Sequence, residues 1–193
     1  VTMMKSCYKQ VGLLALILVL AAPGRGVTAQ DNTLVVEWFD ETADTLIANP
    51  LYRAIVADTL ADGSRVDGRV YKLRQGGFYY ITETIDNSGF PLRIEGEPGD
   101  PNDPFANPPM LQIDARSDGS SPGKMFNIRG DFSLKNVIVN GKTTLGGLNY
   151  EIFDARNDGV RIAFDHVIFE YAQWGIMGVY GKNSDLFITN SHF

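Results

Sequence analysis

The sequence predicts an all-β fold of short stacked coils, with one short helix closing its N-terminal end. Three observations predict it. First, a pattern of alternating apolar residues, a polar anchor and a further apolar residue recurs three times. The copies are Phe132-Ser-Leu134-Lys-Asn136-Val-Ile-Val139, Ile162-Ala-Phe164-Asp-His166-Val-Ile-Phe169 and Leu186-Phe-Ile188-Thr-Asn190-Ser-His-Phe193. Second, the anchor steps by 30 residues from 136 to 166 and by 24 from 166 to 190, a period at which solenoids repeat. Third, beyond about residue 61 the apolar residues follow no helical period and fall in short runs between Gly, Asn and Asp turns. The third copy stops at Phe193 in mid-repeat, so the chain is expected to be the N-terminal portion of a longer protein, truncated at its C-terminal end, with a final strand open at its edge.

Residues 1–29 have the pattern of a signal peptide. Lys5 and Lys9 form a basic start, Val11 to Ala22 an apolar run, and Val27-Thr-Ala29 a small-residue cleavage point before Gln30. The run of 12 residues is short against the roughly 20 that span a bilayer. Cys7 lacks the Leu-x-x-Cys context of a lipoprotein anchor. Export is therefore expected, to an extracellular, periplasmic or cell-surface location, with no membrane span in the mature chain.

Cleavage leaves 164 residues without cysteine, so the apolar core must hold the fold unaided by disulfides. Without Lys5, Lys9 and Arg25, 14 of the 17 basic residues stand against 23 acidic ones, a net charge of −9. That balance argues against nucleic acid or anionic lipid as a partner. It also disfavours an acidic polysaccharide unless a local basic groove overrides the overall field.

Residues 30–64 form an N-terminal segment. Leu34-Val-Val36 fits a short strand or an exposed linker. Asn49-Pro50 reads as a helix start, with Asn as N-cap and Pro at the first helical position. Leu51, Ala54, Ile55 and Leu60 then suit one helix face, predicting a helix through about Leu60. An amphipathic helix here has a physical purpose, since it covers the core that a solenoid exposes at its end. Residues 65–193 hold the coils. Val70–Leu73, Phe78–Ile81, Leu92–Ile94, Met110–Ile113 and Met125–Ile128 read as strands, with a polar, proline-rich insertion from Pro98 to Pro109.

Strands stacked about 4.8 Å apart place equivalent residues of successive coils side by side. Phe132, Ile162 and Leu186 are then expected in one apolar column, Leu134, Phe164 and Ile188 in a second, and Val139, Phe169 and Phe193 in a third. The anchors Asn136, His166 and Asn190 are expected at a bend, where Asn tolerates a left-handed conformation and can bond along a ladder of like residues.

Ile188-Thr-Asn190-Ser-x-Phe193, with the matching Asn136 and His166, resembles the asparagine ladder of right-handed parallel β-helix proteins. Tyr71-x-Leu73, Gly76-Gly-x-Tyr79, Ile85, Gly89 and Leu92-x-Ile94-x-Gly96-Glu97 resemble the first coils of the pectate-lyase-like superfamily, nearest its chondroitinase B and alginate lyase branch. The resemblance covers about residues 65–193 and implies a right-handed parallel β-helix. For such lyases it further implies a bound calcium ion that neutralises a uronate, with a Lys base and an Arg acid. No stretch of this chain matches the motif carrying those groups, so no catalytic residue is transferred.

Four features bear on chemistry. Asp100, Asp103, Asp114 and Asp118 offer oxygen ligands for calcium, but fit no EF-hand spacing and read better as a solvated acidic loop. His166 and His192 suggest a base or ligand pair; the ladder position of His166 favours a structural role, and strand alternation is expected to point Asp165 away from it. Lys135, Arg161 and Lys182 suit an outer face receiving an anionic glycan, or plain solvation. Tyr150, Tyr171, Trp174 and Tyr180 suit a sugar-stacking platform if exposed, and core if they alternate inward. Asp154, Asp158 and Asp165 supply carboxylates whose pairing spacing alone does not fix. The expected function is that of a secreted pectate-lyase-like protein acting on or binding polysaccharide, this segment serving mainly as scaffold. The alternative is a non-enzymatic extracellular or cell-surface β-helix for adhesion or glycan binding.

Overall fold

A computed structural model of the chain describes residues 32–99, 103 and 105–193; the expected signal peptide lies outside the described residues, as does Asp100. In chain order the elements are β1 (Thr33–Val36), β2 (Phe39–Asp40), β3 (Thr45–Leu46), α1 (Pro50–Ala57), β4 (Val70–Leu73), β5 (Phe78–Ile81), β6 (Ile85–Asp86), β7 (Leu92–Gly96), β8 (Met110–Ile113), β9 (Phe126–Ile128), β10 (Phe132–Asn140), β11 (Glu151–Ala155), β12 (Arg161–Glu170), β13 (Gly175–Val179) and β14 (Asp185–Thr189). Strand thus predominates, as the absence of a helical period predicts.

All but two of the strands belong to parallel sheets. One runs β1-β4-β7-β10-β12-β14, with β5 and β8 beside the C-terminal half of β10; a second runs β13-β11-β9-β6. Chain order explains the arrangement. Three strands are made, one on each of three faces, before the chain returns to pair beside the first: β4, β5, β6, then β7, β8, β9. In β10 and β12 a single long strand covers two faces, whereas β14 stops at Thr189, just before its bend residue. The first half of β10 pairs with β7 and its second with β8.

The bend inside these long strands comes from one residue. Asn136, His166 and Asn190 have φ of 53°, 54° and 50°, the left-handed region that short polar residues enter most readily. Lys135 pairs with Asp165 and Val137 with Val167, so the bends of β10 and β12 lie side by side. Gly96 occupies the same column on β7, since Glu95 pairs with Lys135.

The registers build the expected columns. Phe132 pairs with Ile162 and Ile162 with Leu186; Leu134 pairs with Phe164 and Phe164 with Ile188. Val139 pairs with Phe169, on whose ring Phe193 stacks at 5.0 Å. Between the sheets Phe126 stacks on Phe153 at 5.2 Å, and Phe153 meets Phe164 at 5.1 Å. Tyr71, Tyr79, Phe126, Phe153 and Phe164 are all buried.

At the N-terminal end α1 buries Pro50, Leu51 and Ile55. It ends at Ala57, short of the expected Leu60, which is exposed in the turn that follows. The Arg65 guanidinium stops the helix by donating to the carbonyls of Ile55 (2.6 Å) and Asp58 (3.2 Å). Asn49 does not cap the helix as expected. It sits at φ 48° with no capping bond. Its side chain instead accepts from the Thr82 N–H at 2.8 Å and donates to the Thr82 hydroxyl, tying the helix to the end of β5. Leu34–Val36 is strand and not linker. The antiparallel pair β2–β3, unforeseen, closes on a turn in which Asp40 accepts from the N–H groups of Thr42 and Ala43.

Candidate functional site

Three surfaces gather the polar and aromatic residues of interest. The first is the outer face of the eight-stranded sheet. Register puts Lys72, Glu95, Lys135, Asp165 and Thr189 in one cross-strand column. Lys72 meets Glu95 at 3.3 Å and Lys135 meets Asp165 at 3.4 Å. Lys135 is therefore spent on a neighbouring strand, a pairing that stabilises sheets modestly.

Asp165 gathers the bend residues. Its Oδ1 lies 2.8 Å from His166 Nδ1 and accepts from Thr189 Oγ1 (2.9 Å) and Asn190 Nδ2 (3.1 Å). The expectation that Asp165 and His166 point apart fails, because alternation breaks at a left-handed residue and leaves both side chains outside. Burial opposes ionisation of Asp165, but the bonds from Asn190 and Thr189 and the neighbouring imidazole hold its carboxyl below the ordinary range. No side-chain hydrogen bond joins Asn136, His166 and Asn190 to one another; Asn136 is half-buried. His166 and His192 are brought together by Phe105, whose ring lies 5.7 Å and 5.0 Å from theirs. Phe105 belongs to the proline-rich insertion, a contact that sequence reasoning missed.

Further along this face lies a cavity of about 190 Å³ lined by Arg93, Ser133, Arg161 and Ala163. Arg93 and Arg161 are exposed, and their guanidinium groups have no partner among the described residues. Sequence reasoning found Arg161 and passed over Arg93, although its outward position in Leu92-Arg-Ile94 was legible. Lys182 lies elsewhere, on an exposed turn where its backbone N–H donates to Asp158 at 2.7 Å.

A second surface is a charge cluster on the four-stranded sheet. The Asp154 carboxylate, 4% exposed, is bound by Lys124 and by Arg156 Nε at 2.9 Å. Lys124 also meets Glu151 at 3.0 Å, and the Tyr180 hydroxyl donates to Glu151 at 2.8 Å. Burial alone would push the Asp154 carboxyl up; hydrogen bonds from Lys124 and Arg156 outweigh it and hold the group below its ordinary value. The Tyr180 ring lies under the Arg156 guanidinium, 5.1 Å from its centre, and folds back over Gly178. Tyr180 is thus drawn into an ion network, away from any platform.

The third surface is the corner formed by the connections β10–β11 and β12–β13. Tyr150 stacks on Trp174 at 4.5 Å with an interplanar angle of 28°. The two are 46% and 74% exposed. The backbone holds them in register, Trp174 N–H donating to Tyr150 O (3.1 Å) and Gln173 N–H to Asn149 O (2.8 Å). Tyr171, on the same connection, is 59% exposed with Lys142 Nζ 5.5 Å from its ring centre. Three of the four expected platform aromatics therefore share one exposed corner.

The described carboxylates of the acidic set do not converge. Asp103 accepts from the Phe105 N–H (3.1 Å), Asp114 from Thr144 Oγ1 (2.5 Å), and Asp118 from Ser120 (2.8 Å). Each closes a separate local bond, and among the described residues no three His, Cys, Asp or Glu side chains converge to hold a metal. No helix of the described residues is long and apolar enough to cross a membrane. Compared with protein-family models, curated proteins and solved structures, the chain matches none.

Proposed function

We propose that the chain forms coils of a right-handed parallel β-helix of the pectate-lyase-like kind, exported from the cell, and that it binds extracellular polysaccharide through Tyr150, Tyr171 and Trp174. The stacked and exposed Tyr150–Trp174 pair carries this reading. Core aromatics of the chain alternate inward and vanish from solvent, whereas these rings leave broad apolar faces in water at an unfavourable free energy. The C–H face of a pyranose offsets that cost by covering such a ring, and the sugar hydroxyls around it stay wet. Affinity electrophoresis of the full chain through gels of neutral and uronate polysaccharides tests the reading. At least one polymer should retard the chain, and Trp174→Ala should abolish most of the retardation while leaving the far-ultraviolet dichroism intact. Free migration in every gel, or equal retardation of the variant, rejects it.

The Asp165–His166 pair favours a second reading, β-elimination on the outer sheet face. Asp165 orients the imidazole, so Nε2 takes the C5 proton of a uronate, the bond from C4 to the glycosidic oxygen breaks, and the leaving oxygen takes a proton from water. Arg93 and Arg161, more than about 10 Å along the same face, suit the carboxylates of neighbouring sugars. That reading requires unsaturated product, seen as rising ultraviolet absorbance, and requires its loss in His166→Gln.

A further inference from the structure

A cavity of about 520 Å³ runs between β1 and α1. Leu34, Val36 and Ile47 wall one side of it, and Pro50, Ala54 and Ala57 of α1 the other. Positions 50, 54 and 57 lie on one helix stripe, beside Leu51 and Ile55, which the helix turns into the core. The small side chains of that stripe leave a slot between strand and helix. Its volume falls within the roughly 300–1,000 Å³ of small-molecule sites.

Three charged residues also line the slot. Glu37 is held by Arg74 at 2.7 Å, and Asp58 by Arg69 at 2.7 Å. Arg53 is exposed, and its guanidinium has no hydrogen-bond or ion-pair partner among the described residues. The slot therefore joins apolar walls to one cation that the chain itself leaves unanswered.

We propose that the slot binds a medium-chain carboxylate, its alkyl chain lying between β1 and α1 and its head group on Arg53. The alkyl chain takes the apolar walls out of water, and a guanidinium receives a carboxylate through two parallel hydrogen bonds. From residue 50 to residue 57 the helix rises about 10 Å, which suits a chain of about eight carbons. A sugar would leave hydroxyls unpaired against these walls. The site is thus separate from the polysaccharide corner at Tyr150 and Trp174 and does not depend on it.

Calorimetric titration of the full chain with octanoate tests the proposal. Octanoate should bind at one saturable site. Octanol, with the same chain and no charge, should bind at least about tenfold more weakly, the order of one lost charge-assisted contact. Arg53→Gln should bring octanoate down to the octanol level with unchanged far-ultraviolet dichroism. Ala54→Leu fills the slot and should weaken both ligands at least about tenfold. The absence of saturable heat with octanoate overturns the proposal. So does octanol binding as tight as octanoate in the parent chain, or octanoate binding that Arg53→Gln or a folded Ala54→Leu leaves intact.

Discussion

Gly96→Ala is expected to be among the most damaging single-methyl changes in this fold. Gly96 sits in the column of the bends, where β10 turns at Asn136. A Cβ built there falls far inside contact distance of the Asn136 carbonyl oxygen, and 2.7 and 2.8 Å from Pro109 Cγ and Cδ. All of these atoms are fixed by backbone or ring, and contacts below 3.0 Å are essentially never seen for real Cβ atoms. The strands must part locally, loosening the β7–β10 pairing at the join between two faces. Overpacking that side chains can relax costs about 1–3 kcal/mol; a clash against backbone belongs at the upper end, about 3 kcal/mol. For a domain of this size that lowers Tm by about 6–12 °C. Gly123→Ala is the control, because its Cβ meets nothing within 4 Å and its φ is not in the left-handed region; it should be neutral or stabilise by about 0.4–1 kcal/mol. Urea unfolding gives both values as shifts in midpoint at unchanged slope. A Gly96→Ala variant within about 0.5 kcal/mol of the parent, against the usual cost of overpacking, refutes the claim that bend and glycine are matched.

Other expectations follow from the same geometry. Phe153→Ala removes the ring that meets Phe126, Phe132, Phe164 and Phe169, and should cost about 3–5 kcal/mol in the same urea experiment. Asn136→Leu places a bulky residue at φ 53° and should cost about 1–2 kcal/mol while leaving gel retardation by polysaccharide unchanged, whereas Asn136→Gly should fold nearly as well as the parent. The Asp154 carboxyl has its folded pKa lowered, so its contribution is full above the unfolded value near pH 4 and is lost as pH falls through the folded value. Asp154→Asn should therefore cost on the order of 2 kcal/mol at neutral pH and flatten the acid limb of a stability–pH profile; an unchanged acid limb sinks the assignment.

Much of the scaffold was legible because local and global signals agree. Val70–Leu73, Phe78–Ile81 and Met110–Ile113 were delimited correctly, each being an alternating run bounded by turn residues. The repeat alone aligned Phe132 with Ile162 and Leu186. Rules that treat each element separately did less well. Leu60 fits the period of α1, but Arg65 takes the terminal carbonyls and stops the helix earlier. Alternation separates Asp165 from His166 only on a regular strand, and residue 166 is where the strand ceases to be regular. The β2–β3 pair is two residues wide and carries no period. Phe105 reaches His166 and His192 across 61 and 87 residues of sequence, a distance that no local signal spans. The fate of Lys135, by contrast, was available: the repeat that aligns 136 with 166 also sets Lys135 beside Asp165.

The same distinction bears on where function resides. At the bend between the faces of the large sheet, one residue makes the turn, must accept a left-handed backbone, and packs against a neighbouring strand. Identity there is dictated by strain, so an Asn or His at that position says little about a ligand. At the next corner that constraint falls on Tyr171, whose φ is 56°, and not on Tyr150 or Trp174. The connection at this corner runs over residues 141–150 between β10 and β11, but only 171–174 between β12 and β13. A connection whose length varies between equivalent strand pairs can also vary in sequence without disturbing the sheets. Placing Tyr150, Tyr171 and Trp174 on that corner gains the fold one ring stacking of about 0.5–1.5 kcal/mol and leaves broad ring surface in water. Their exposure is thus informative in a way that the histidines, despite their more familiar chemistry, are not.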